Sequence, residues 1–328
     1  MIKKALSLFL VLCLSLILFG CNDYKQITPS DEDMTIVGHV NGRDVCLDEL
    51  RFVAYTYRDL MISRYGDGIF EGEDKDTYLS MLSDLVCKNI TYGYAVIELC
   101  DEVGIGLGEK AIIDSVDKTL SDLVKNDLGS FSKYKKYLKQ NHLTDRLLRF
   151  STEISLLENE LKYVYVDDLL LIENDDEKIY DIIKNDFIIV RHVFVPHSTE
   201  GANEKILSAL DEYQSGASMD TLISKYNEDP SMTSDGIFIL DGYMSEEYQD
   251  VAFSLSVGDV SQVVTDYNGY YIIERVAMSP SRIMLDFDNL KQTYQTYTFF
   301  AMIDQRQKSL SFVLNDAGIE YLADPFSK

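Results

Sequence analysis

The chain has 328 residues, 46% of them hydrophobic, and its 55 acidic side chains outnumber 30 basic ones for a formal charge of −25. That length and apolar content suffice for about two domains with a sizeable core. The charge disfavours nucleic acid as a partner and adsorption onto anionic lipid, and the cysteines show no metal spacing, so neither a metal nor a cofactor is implied.

At the N-terminus, Lys3 and Lys4 precede an apolar run from Ala5 to Phe19. The run is too short for a stable membrane span and has the length of a signal-peptide core. It ends in Leu18-Phe19-Gly20-Cys21, which resembles a lipobox, with Phe19 bulkier than usual. Residues 1–20 are therefore expected to be removed, and Cys21 to carry the lipid that tethers the chain to the extracytoplasmic face of the cell membrane. Losing Lys3 and Lys4 takes the charge from −25 to −27, so the lipid must do the anchoring, and more than one acyl chain makes it stable. The polar, aperiodic stretch 21–34 reads as a flexible spacer.

Regular structure begins at Thr35. Two short strands flank Asn41-Gly42, a dipeptide suited to a tight hairpin turn, and Asp48 is placed to cap the helix that follows. Helical periodicity then runs to about Asp186, with long segments Tyr78–Val103 and Tyr134–Tyr165 and a break at the GIGLGE turn. Cys46, Cys87 and Cys100 are expected as buried free thiols, with one disulfide the alternative. The pattern is helical again from about Leu285 to Asp316, and GIEYL reads as a closing strand. One long amphipathic helix cannot bury its own apolar stripe, so it should pack back onto the N-terminal helices. The expected class is α+β: a helical domain from residues 35–186 with 282–328, and an insert at 187–281.

The insert opens on a short apolar run, Phe187 to Val195, interrupted by Arg191 and His192. It reads as a buried strand, and a lone histidine there is most often a satisfied core residue. A helix near Asn203–Gln214 stops at Gly216, and Ser218 caps a second at Met219–Tyr226. After the turn-rich NEDPSMTSDG comes a short strand, Phe238–Leu240, and Ser245 with Glu246 and Glu247 opens a third helix. SQVVT and GYYIIERV complete a small antiparallel sheet with helices around it.

Arg191-His192-Val193-Phe194-Val195, the NED loop, MSEEYQDVAFSLSVGDVS and NGYYII, in that order, resemble a parvulin-type peptidyl-prolyl cis/trans isomerase domain. Around it, the VNGR hairpin, AVIELCDEVGI and the returning C-terminal helix look like the foldase lipoproteins of Gram-positive bacteria and their periplasmic chaperone relatives. The resemblance implies a proline pocket floored by Met244 and Tyr248, with Phe238 as a wall. It also implies a polar network of His192, the first of two facing histidines, with Asp229 and the hydroxyl of Thr265. The plain alternatives are core packing for the apolar residues and a turn role for Asp229 before Pro230. Tyr271 departs from the pattern, because the second histidine belongs there and a phenol cannot act as an imidazole. The loop before Phe238 also lacks a second glycine.

Rotation about a prolyl amide is slow because of its partial double-bond character, and a site can speed it without a covalent step by gripping the ring and favouring the twisted amide. The implied partners are unfolded or partly folded secreted proteins with X-Pro bonds, with room left for a homodimer. Phosphate-directed recognition is excluded, since the only basic residues between Phe187 and Ser281 are Arg191, Lys205, Lys225 and Arg275. His192 and His197 do not suit a metal pair, because their odd spacing points them to opposite faces of a strand. Three readings follow: a membrane-tethered foldase, a holdase that binds such clients without turning them over, and a surface lipoprotein whose domains act as spacer and adhesin. Tyr271 is the feature that separates the first two.

Overall fold

A computed structural model describes residues 24–326 of the chain; the signal-peptide segment and Cys21 lie outside the described residues. The backbone clusters into two units, one formed by the described residues up to Tyr165 together with those from Phe300 onward, the other by Val166–Phe299. Both helix and sheet are present, as the α+β expectation requires. No helix among the described residues is long and apolar enough to cross a membrane.

In the first unit, β1 (Ile36–Val40) and β2 (Arg43–Cys46) form an antiparallel hairpin whose Val40–Arg43 pairing leaves Asn41 and Gly42 as the turn. Their φ values are 46° and 81°, both positive as a two-residue turn of this kind requires. A third strand, β7 (Phe312–Leu314), joins β1 on its other side. Helices α1 (Leu47–Tyr65), α2 (Lys75–Glu102), α3 (Lys110–Asp122), α4 (Phe131–Gln140) and α5 (Asp145–Tyr163) supply the core. Cys46, Cys87 and Cys100 are free thiols.

Four local expectations change here. The cap of α1 is Cys46, whose backbone N–H donates to Glu49 Oε1 at 3.3 Å; Asp48 is instead buried against Arg146 and Thr144 Oγ1, the latter at 2.6 Å. The helical run Tyr134–Tyr165 is split between α4 and α5 by a turn at His142, with φ 52°, after which Thr144 caps α5 through the Leu147 N–H. From Tyr24 onward the spacer is docked, not free: the Tyr24 hydroxyl and the Ile27 N–H both donate to the Asp145 carboxylate, at 2.8 and 3.1 Å. Finally, GIEYL belongs to a helix, α11 (Asp316–Ala323), because Asn315 Oδ1 accepts the Gly318 N–H and starts a helical turn there.

The second unit is a four-stranded antiparallel sheet in the order β4-β3-β6-β5. Its elements are α6 (Asp176–Asp186), β3 (Phe187–Pro196), α7 (Ala202–Gln214), α8 (Met219–Tyr226), β4 (Ile237–Leu240), α9 (Glu246–Ser254), β5 (Val264–Thr265), β6 (Gly269–Val276) and the first part of α10 (Pro280–Ser309). Strand alternation divides the side chains between two faces. Ile188, Val190, Ile239, Val264, Tyr271 and Ile273 pack against Tyr248 and Ala252 of α9. On the other face, Val193, Val195 and Ile272 meet Ile206, Leu210 and Leu222 of α7 and α8. Lower on that face, Phe187 and Leu240 pack with Ile179 and Ile183 of α6 and with Ile283 and Leu290 of α10. This last cluster draws α6 and the start of α10 into the sheet unit, so the compact unit extends beyond the expected 187–281 limits.

Candidate active site

His192 lies on the inner strand β3, on the face that α9 covers, and is 2% exposed. Both ring nitrogens are engaged: Nδ1 stands 2.9 Å from the Tyr248 hydroxyl and Nε2 stands 3.1 Å from Asp229 Oδ2. Chemistry fixes the tautomer. The hydrogen bond from His192, followed by those from Ser231, holds the Asp229 carboxyl well below the usual carboxylate range, so Asp229 is an acceptor and Nε2 carries the proton. Burial holds the Tyr248 phenol far above its ordinary range, so it stays protonated, and with the proton of a neutral imidazole on Nε2 its O–H donates to Nδ1. The line therefore runs from Tyr248 O–H to His192 to the Asp229 carboxylate.

The NED loop positions that carboxylate. Asn227 Oδ1 accepts the Phe194 N–H at 2.9 Å and its Nδ2 donates to the Asp229 carbonyl at 2.7 Å, while the Glu228 N–H donates to the Phe194 carbonyl at 2.8 Å. The loop is thus fastened to β3 two residues beyond His192. Ser231 completes the shell by donating its N–H and Oγ–H to Asp229 Oδ1, at 2.8 and 2.6 Å.

Tyr271, directly across from Phe194 in the β3–β6 pairing, stands edge-on to His192 at 5.5 Å and to Tyr248 at 5.0 Å between ring centroids. It stacks on Phe194 at 4.7 Å. Its hydroxyl is directed to Asp266 and Asn268, and burial, with the Asp266 charge adding to it, keeps the phenol protonated. Tyr271 is not the hydrogen-bond partner on His192 Nδ1; that partner is Tyr248.

The expected site residues divide accordingly. His192, Asp229, Tyr248 and Tyr271 come together, and Met244 is half-buried against the same cluster. Tyr248 is fully buried, however, so it supports the cleft from below and is not open to a ligand. Phe238 is not at the cleft. Alternation along β4 keeps Ile237 and Ile239 on the His192 face and turns Phe238 to the other, where the Arg282 guanidinium lies 5.4 Å from its ring. Thr265 is exposed and makes no side-chain hydrogen bond to His192 among the described residues, because Val264 before it and Asp266 just after β5 are the residues turned inward.

Two residues enter that the sequence reading did not select. Asp266 is buried and accepts from Ser245 Oγ at 2.8 Å, from the Asn268 N–H at 2.7 Å and from the Gly269 N–H at 3.1 Å. It joins the start of α9 to the β5–β6 turn. Phe194 is half-buried on the His192 face and forms an apolar wall; two-residue alternation from His192 was its signal.

The basic residues of this unit's sheet region are all committed. Arg191 pairs with Asp220 and Glu274, Lys205 with Glu228 and Lys225 with Glu212, while Arg275 donates to the carbonyls of Phe253 and Leu255. None is left to receive a phosphate at the cleft.

An ionised carboxylate and a fully bonded imidazole beside the half-buried Phe194 and Met244 suit an uncharged ring next to a polar amide. With both imidazole nitrogens occupied, the arrangement offers complementarity and no nucleophile. The sequence pattern of the rotamase family described as the PPIC-type PPIase domain matches residues 189–277. The chain carries a PPIC-type PPIase domain.

Beyond the PPIase domain, the similarity runs nearly end to end. The foldase protein PrsA of Clostridium perfringens is 24% identical over 332 residues, covering 96% of this chain and 96% of that protein. The foldase protein PrsA of Caldanaerobacter subterraneus is 24% identical over 308 residues, covering 90% of this chain and 88% of its own. Among solved structures, PrsA from Bacillus anthracis aligns with a TM-score of 0.35 and 19% identity, covering 70% of this chain and 96% of its own. The two PrsA relatives, together with the PPIase domain, support a foldase or chaperone role.

Proposed function

We propose that this protein is an extracytoplasmic foldase, held to the cell membrane by a lipid on Cys21, that speeds prolyl isomerisation in secreted proteins as they fold after translocation. The observation that carries the reading is the Tyr248–His192–Asp229 line beside Phe194 and Met244 in a PPIC-type domain. Phe194 and Met244 grip the proline ring, and the Asp229 edge favours the twisted amide over the planar one. A refolding reaction limited by an X-Pro bond tests this: the protein should raise the slow rate above the buffer blank. A rate equal to the blank, with aggregation of a proline-free client still suppressed, would leave a holdase. That second reading is favoured by one observation, a phenol at Tyr271, the position where the parvulin resemblance implies a second histidine.

Anchoring has its own test. Cys21→Ser should move the protein from the membrane fraction to the soluble one, because a single change removes the lipid attachment point while the strong negative charge opposes adsorption. Persistent membrane association of that variant would refute the anchor.

A further inference from the structure

The sheet unit has a concave surface on the face opposite His192. Between α6 and the start of α10 runs an open groove of about 530 Å³ lined by Asp176, Glu177, Tyr180, Asp181, Met284 and Phe287. It is preformed. Ile179 and Ile183 of α6 are packed with Ile283 and Leu290 of α10 beneath it. At one end Lys291 Nζ donates to Asp176 Oδ1 at 2.6 Å and to the Asn174 carbonyl at 2.8 Å, and Gln295 Nε2 donates to the Glu173 carbonyl at 3.1 Å.

Its lining is apolar in the middle and acidic at the rim. Met284 is 62% exposed, and Tyr180 and Phe287 are half-buried, so a contiguous apolar strip faces water. The unbranched thioether of Met284 can reshape itself around different side chains. Asp176 is neutralised by Lys291, but Glu177 and Asp181 have no cationic partner among the described residues, and Asp288 adds a further exposed carboxylate one turn beyond Met284.

We propose that this groove docks a cationic, apolar polypeptide segment, one that carries Lys or Arg beside a large hydrophobic side chain. The strip takes the hydrophobic side chain and the rim takes the cation. A second copy of this chain is disfavoured as the occupant by its net charge of −25. The occupant's being an unfolded client rests on the chaperone reading above; the site itself is distinct from the His192 cleft and does not require proline.

Fluorescence anisotropy of the full-length protein with a labelled, proline-free peptide of Lys, Arg, Phe and Leu tests this, with a counterpart in which Glu replaces the basic residues. The basic peptide should bind and the acidic one should not. Glu177→Gln with Asp181→Asn should weaken binding about fivefold, and Met284→Ser should weaken it by a similar factor, with the X-Pro isomerisation rate of a short peptide unchanged. Equal binding of the two peptides, or variants that bind like wild type, would overturn the proposal. So would a dimer in sedimentation velocity that Met284→Ser dissociates, which would make the groove a self-interface. If isomerisation is absent while this binding pattern holds, the groove stands and only the catalytic reading falls.

Discussion

Urea unfolding of the sheet unit should show that His192→Leu and Tyr248→Phe each lower stability by about 2 kcal/mol, and that the double variant costs little more than the worse single one. The Tyr248 hydroxyl is fully buried and donates to His192 Nδ1. Removing only the hydroxyl leaves that nitrogen without its donor; removing only the imidazole leaves a buried hydroxyl and takes a donor from Asp229. Each single change therefore strands a polar group, while the pair of changes strands only the more exposed carboxylate. A double-mutant coupling of about 1–2 kcal/mol is the expected signature. Strictly additive losses would mean that the two side chains do not share the bond.

Glu158→Gln should stabilise the helical unit at pH 8 and make no difference near pH 4.5. Glu158 lies 5% exposed, with the Tyr92 hydroxyl donating to it at 3.0 Å. Burial outweighs that bond and the Lys162 charge, and pushes the carboxyl up to about 7 from an ordinary 4.5. Because the raised pKa belongs to the fold, the folded chain holds the proton that the unfolded chain releases. Stability is full below about pH 4.5 and falls as pH rises through 7, by about 3 kcal/mol at completion. Glutamine keeps an acceptor for Tyr92 and never ionises, so wild type and variant should diverge with rising pH in urea midpoints measured across that range. Parallel midpoints would show that Glu158 does not change charge there.

The order of elements is legible in both units because each element carries its own signal. Asn41-Gly42 demands a turn, Ser218 caps α8, and the short apolar run of β3, bounded by Pro196, reads as a buried strand. The polar partners of His192 were legible only through resemblance, since Asp229 is 37 residues away and nothing local connects them. The misplacements have local causes. The resemblance implies Phe238 and Thr265, but each falls on the wrong side of a two-residue alternation in a short strand, where one position decides the face. Asp266 looks like an ordinary turn residue until the fold buries it between α9 and β6. GIEYL is helical where its pattern reads as a strand because Asn315 works as a helix cap, which a residue after a strand and before an apolar run does not announce.

The replacement at Tyr271 now has a physical description. Its ring closes the cluster from the side, stacked on Phe194 and edge-on to His192, while its hydroxyl turns away to Asp266. In the proposed function this position supports the site from the side, and the polar work falls to Asp229 and His192. The central claim is that this pair speeds rotation about X-Pro bonds. The most direct measurement is the proline-limited refolding rate with wild type and with Asp229→Ala at equal concentration. The account predicts acceleration by wild type and a loss of tenfold or more in the variant, with the sheet unit still folded. Acceleration that survives Asp229→Ala unchanged, or none from wild type, would contradict it.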